Sequence, residues 1–79
     1  MQLPDERSSM HVAPRPPLPC DAYVDSGAAP EGWYAAELLE WIHFPTSGWM
    51  ARVRYRTSAS GGYVGYFSSA HVRGANPPG

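Results

Sequence analysis

Gly48-Trp49-Met50-Ala51-Arg52-Val53-Arg54-Tyr55-Arg56, followed after a polar loop by Gly65-Tyr66-Phe67-Ser68-Ser69-Ala70-His71-Val72, is the stretch that decides the fold. In the first run Trp49, Ala51, Val53 and Tyr55 alternate with Met50, Arg52, Arg54 and Arg56. That two-residue period belongs to a strand with one face on a core. Thr57-Ser58-Ala59-Ser60-Gly61-Gly62 supplies the small residues of a chain reversal, and Tyr63 to Phe67 returns as the paired strand. A single turn at 68–70 and a short last strand at 71–73 complete the closing half of a small barrel. Small barrels of this kind serve as binding modules, which turns the question from fold to partner.

Upstream, Asp21 to Asp25 reads as a first short strand ending at Ser26-Gly27, and Phe44-Pro45-Thr46-Ser47-Gly48 as the turn before Trp49. The segment between them, 32–43, is open. Ala35-Ala36-Glu37-Leu38-Leu39-Glu40 are good helix formers, and Tyr34, Leu38, Trp41 and Ile42 would share a helical face. As a strand, neither face is purely polar, so a bulge near Leu38–Leu39 is required.

Residues 1–19 hold Pro4, Pro14, Pro16, Pro17 and Pro19 and no apolar period, the pattern of a disordered proline-rich tail. Residues 74–79 read as a second tail, leaving 20–73 as a single folded domain. So small a domain needs large apolar area per residue. The three Trp, five Tyr and two Phe, gathered between Tyr23 and Phe67, supply it. Lysine is absent, all six basic residues are Arg, and Asn and Ile occur once each. With abundant Ala, Gly and Pro, this composition suggests a GC-rich genome such as an actinobacterium's. Cys20 is the one cysteine, which excludes an intramolecular disulfide. No apolar run approaches the roughly 18 residues of a membrane-spanning helix, and no signal-peptide pattern opens the chain; the expectation is a cytoplasmic protein with no membrane partner.

The runs 48–52 and 65–72 together resemble the closing half of Src-homology-3 domains. There a tryptophan-containing strand with a buried Ala precedes a Gly-aromatic-apolar-Pro-Ser-Asn-Tyr-Val run, and Ala51, Gly65, Phe67, Ser69 and Val72 stand at the matching positions. The resemblance covers about 25 residues. The chain is also similar to small actinobacterial proteins with a Trp-Tyr-x-Ala strand, a Gly-Trp strand and a Val-Gly-aromatic-Phe ending. The resemblance implies an all-β, five-stranded Src-homology-3-like barrel and makes 32–43 a strand. It does not carry the family's peptide groove. That groove relies on a Trp at the position of Gly48, a Pro at that of Ser68 and a Tyr at that of His71. Pro14-Arg15-Pro16-Pro17-Leu18-Pro19 has the spacing of a polyproline ligand tethered beside the barrel, but the missing groove residues favour a plain leader.

Arg52, Arg54 and Arg56 would project from one strand face about 7 Å apart, and Arg73 could extend the row. Three readings apply to this stripe: a face paired with the chain's own acids, a grip on an acidic protein patch, or a track for a nucleic-acid backbone. The net charge is −1, and 20–40 hold Asp21, Asp25, Glu31, Glu37 and Glu40 without a base. The same asymmetry would allow a homo-oligomer, acidic half against Arg stripe. Among the aromatics, Trp49, Tyr55 and Phe67 are expected in the core, and Trp33, Tyr34 and Tyr66 as exposed contact residues.

His11, Cys20, His43 and His71 have no metal-ligand spacing. Gly61-Gly62 sits in a hairpin rather than a phosphate loop, and no nucleophile has a legible base and orienting group. The sequence thus predicts a non-catalytic protein-interaction module without metal or cofactor. It would bind a protein partner through Arg52, Arg54, Arg56, Trp33, Tyr34 and Tyr66, with nucleic-acid binding through the same stripe as the alternative.

Overall fold

The computed structural model describes residues 10–25, 29–58 and 61–78. In chain order these form β1 (Met10–Val12), β2 (Leu18–Val24), β3 (Gly32–Phe44), β4 (Gly48–Ser58), β5 (Gly61–Ser68) and β6 (Val72–Arg73), with a 310 turn at Ser69–His71 before β6. They make one antiparallel sheet in the order β5-β4-β3-β2-β6, with β1 laid on the far half of β3.

The fold is therefore all-β, and 32–43 is strand. The five-stranded barrel is corrected on two counts. Among the described residues there are six strands and the sheet is not closed, since no ladder joins β5 to β6. The physical reason is the short link between them. The three-residue 310 turn delivers Val72 and Arg73 to β2, opposite Ala22 and Asp21, and leaves the outer edge of β5 without a neighbour. The sixth strand and the first residues of β2 fall within 1–19, which the sequence assigned to a proline-rich tail. Met10–Val12 pair with Trp41–His43, and Leu18 and Pro19 pair with Leu38 and Glu37. The polyproline-like run 14–19 is thus partly built into the sheet. Residues 1–9, the Ser26-Gly27 turn and the tip of the 57–62 loop lie outside the described residues.

β3 is the organising strand, and its irregularity does most to shape the molecule. Leu38 pairs with Val53 and Glu40 with Arg52, so Leu39 is the extra residue of a bulge. Leu38 and Trp41 are three apart and in a regular strand would face opposite ways. The bulge lets both face the core while Glu37 and Glu40 both face out. β4 runs against it as the alternation required, with Ala51 and Val53 buried and Trp49 and Tyr55 packed on the same cluster.

The core is small residues around a few large ones: Cys20, Ala22, Ala36, Leu38, Trp41, Ala51, Val53 and Val72, with Phe67 and Ala75 against them. Ala75 extends the packing beyond β6, into the segment read as a second tail. Truncating a fully buried leucine costs about 2–5 kcal/mol, a large part of the roughly 5–15 kcal/mol that holds a domain together. Leu38, at no exposure, is such a side chain.

Candidate functional site

The face of the sheet away from the core carries the candidate site, and the strand registers define its rungs. Glu40, Arg52 and Tyr66 line up across β3, β4 and β5; the next rung is Glu37, Arg54 and Val64; on the other side stand Ile42, Met50 and Ser68. The acids and arginines meet because the bulge puts them in register. Arg54 Nη2 and Nε donate to Glu37 Oε1 at 2.6 and 3.0 Å. Arg52 Nη1 stands 3.6 Å from Glu40 Oε2, whose other oxygen lies 3.1 Å from His11 Nδ1 on β1. The Arg stripe is thus a charge ladder answered by the chain's own carboxylates. Arg56, exposed one rung further on, has no acidic partner among the described residues.

Beside the ladder lies an apolar hollow of about 450 Å³, lined by His11, Ile42, Phe44, Ser47, Met50 and Tyr66. Ile42 faces away from the core yet is only 4% exposed, so it forms the floor, between His11 of β1 and Met50 of β4. The Glu40–Arg52 pair is the neighbouring rung on the same face. Tyr66, 60% exposed, forms the rim. One wall of this hollow exists only because β1 lies on β3.

Of the six residues that the sequence nominated, Arg52, Arg54, Arg56 and Tyr66 come together on this face of β4 and β5. Trp33 is on the same face but further along, towards β2. Arg73 lies over its ring at 4.2 Å and is itself 3.5 Å from Asp21, while Tyr23 packs edge-on at 5.3 Å. Its indole is therefore partly covered, at 38% exposure. Tyr34 does not join them. It alternates with Trp33, is half-buried, and donates its hydroxyl to the Pro30 carbonyl at 2.6 Å. Ile42, Phe44 and Met50 were missed. The signal was in the sequence: apolar residues on the face that β4 otherwise gives to arginine.

A second concavity, about 380 Å³, is lined by Tyr23, Val24, Asp25, Tyr55, Gly65, Tyr66, Phe67, Ser68 and His71. It contains two of the positions that differ from Src-homology-3 domains, Ser68 and His71. Their side chains are engaged with each other, Ser68 Oγ to His71 Nδ1 at 2.9 Å. Asp25 Oδ2 is 3.9 Å from His71 Nε2, beyond hydrogen-bond reach, so the imidazole is not held as in a nucleophilic triad. Burial pushes the Cys20 thiol above its ordinary pKa, with the charges of Asp21 and Glu37 adding to it; the thiolate is disfavoured and the group packs as a small apolar side chain. Tyr23 is also raised, first by its hydrogen bond to the Glu31 carboxylate, then by desolvation and the charges of Glu31 and Asp25. Among the described residues no group of three or more His, Cys, Asp or Glu is arranged to hold a metal ion, and no helix is long and apolar enough to cross a membrane.

No protein-family model matches the chain, and no curated protein or solved structure is significantly similar to it.

Proposed function

We propose that the chain is a non-catalytic protein-interaction module that docks an acidic segment carrying an apolar anchor. The observation that carries this reading is the adjacency of the Ile42-floored hollow to the Arg52–Arg54–Arg56 ladder on one open face. An apolar side chain of a partner would fill the hollow over Ile42, displacing water from Phe44 and Met50. Carboxylates flanking it would replace Glu37 and Glu40 on the arginines. That exchange costs little, because exposed ion pairs contribute only about 0–1 kcal/mol, and Arg56 is available without any exchange.

The finer identity, a relative of Src-homology-3 barrels in a bacterial cytoplasm, belongs to the same proposal. It is supported by β4, β5, the single turn and β6 following in the order that the resemblance implies. Nucleic acid is the less favoured occupant, since a phosphate backbone has no apolar group to fill the hollow of Ile42, Phe44 and Met50 beside the ladder. Selection from a random peptide library tests the choice. The proposal expects enriched peptides with an aliphatic or aromatic residue between Asp or Glu, lost on Arg52→Glu with Arg54→Glu. Enrichment of basic or proline-rich peptides, or retention by that variant, would sink it.

A further inference from the structure

The outer edge of β5 has the features natural sheets usually avoid. It closes the sheet on one side, and among the described residues no strand pairs with it. Exposed edges are commonly guarded by charge, proline or a bulge that turns them from partners. Gly61-Gly62-Tyr63-Val64-Gly65-Tyr66-Phe67-Ser68 has no charged residue and no proline, and its register against β4 is regular from Gly62 to Ser68. Tyr63, Val64 and Tyr66 are 49, 52 and 60% exposed, so the edge is apolar on both faces.

We infer that β5 pairs antiparallel with β5 of a second copy of this chain, about a two-fold axis at Gly65. In such a pair residues i and j face each other with i plus j constant, and a two-fold axis normal to the sheet requires that one residue face itself. Centring on Gly65 uses the strand from Gly62 to Ser68 in full. It sets Val64 against the partner copy's Tyr66, and Tyr63 against its Phe67, each contact made twice. These are β-branched–aromatic and aromatic–aromatic pairs, the kinds that stabilise cross-strand neighbours. The one residue obliged to meet its own copy is a glycine, which has no side chain to clash. A strand without charge also meets no like charge when it pairs with itself. These features favour the chain's own copy over an unrelated strand. The product is a continuous sheet, β4-β5 joined to β5-β4, that carries two copies of the hollow and ladder on one surface. This inference stands independently of what the hollow binds.

Sedimentation equilibrium of the full chain from micromolar to millimolar concentration tests it. The wild type is expected to run as a monomer–dimer equilibrium. Val64→Lys should weaken the dimer by roughly tenfold or more, because a two-fold interface meets each added charge twice, while amide NMR shows the sheet intact. Mixing Val64→Cys with Tyr66→Cys protein under mild oxidation should give a mixed disulfide in preference to either homodimer; the native Cys20 is buried and does not compete. A monomer throughout the range, a dimer indifferent to Val64→Lys, or crosslinks that favour the homodimers would each overturn the inference.

Discussion

Glu37 and Arg54 stand directly opposite across the β3–β4 ladder, with two guanidinium nitrogens of Arg54 donating to one oxygen of Glu37, the shorter bond at 2.6 Å. The pair is open to water, with both side chains 49% exposed. It therefore sets the electrostatic pattern of the face more than its stability. In a double-mutant cycle of Glu37→Gln and Arg54→Gln, thermal unfolding should give a coupling of about 0.2–1 kcal/mol that shrinks in high salt. A coupling above about 3 kcal/mol would mean a desolvated pair and contradict the exposed ladder.

How far the sequence reached turns on the same two strands. The alternation of β4 was legible because one face is apolar throughout and the other mostly arginine. The bulge at Leu38–Leu39 was legible because neither face of a regular strand over 32–43 would be purely polar. Self-pairing of the arginines was legible from the five acids of 20–40, as one of three readings of the stripe; its register was not, because the bulge puts both Glu37 and Glu40 opposite arginines where a regular strand would turn one of them to the core. β1 was not legible. Met10-His11-Val12 is too short to show a period, stands among prolines, and becomes a strand through pairing with β3. With β1 hidden, so was the hollow that it helps wall. Closure was over-read, because the turn after β5 reveals nothing of which edge the next strand will join.

Gly48 ends the β3–β4 turn with φ of +78°, the left-handed region that a Cβ disfavours. Nothing lies within 4 Å of where that Cβ would be, so the penalty is conformational and not steric. Gly48→Ala should destabilise by about 1–2 kcal/mol in denaturant titrations. Gly62→Ala, in the extended β5 with an ordinary contact at 3.9 Å, serves as the control and should change stability by less than about 1 kcal/mol. Equal losses at the two sites would contradict the turn geometry.

Cys20 and Tyr23 both hold their protons more tightly in the folded chain than their ordinary values of 9.0 and 10.0. A raised folded pKa gives a contribution present in full below the unfolded value and lost as pH rises through the folded one. Stability from these groups should thus be level through neutral pH and decline above about pH 9, first through Cys20. Urea unfolding at several pH values checks the sign. Cys20→Ala should flatten the early part of the decline, and stability that increases from pH 9 to 11 would refute the assignment.

The most direct test of the docking face is a two-dimensional amide NMR titration of the full chain at low salt. The ligand is a short peptide with one Phe between glutamates, and a generic DNA duplex serves as comparison. The account predicts that the peptide shifts Ile42, Phe44, Met50, Arg52, Arg54 and Tyr66 together, that Met50→Glu abolishes the response, and that DNA moves the ladder less. Peptide shifts confined to Asp25, Ser68 and His71, or a ladder that answers DNA alone, would contradict it.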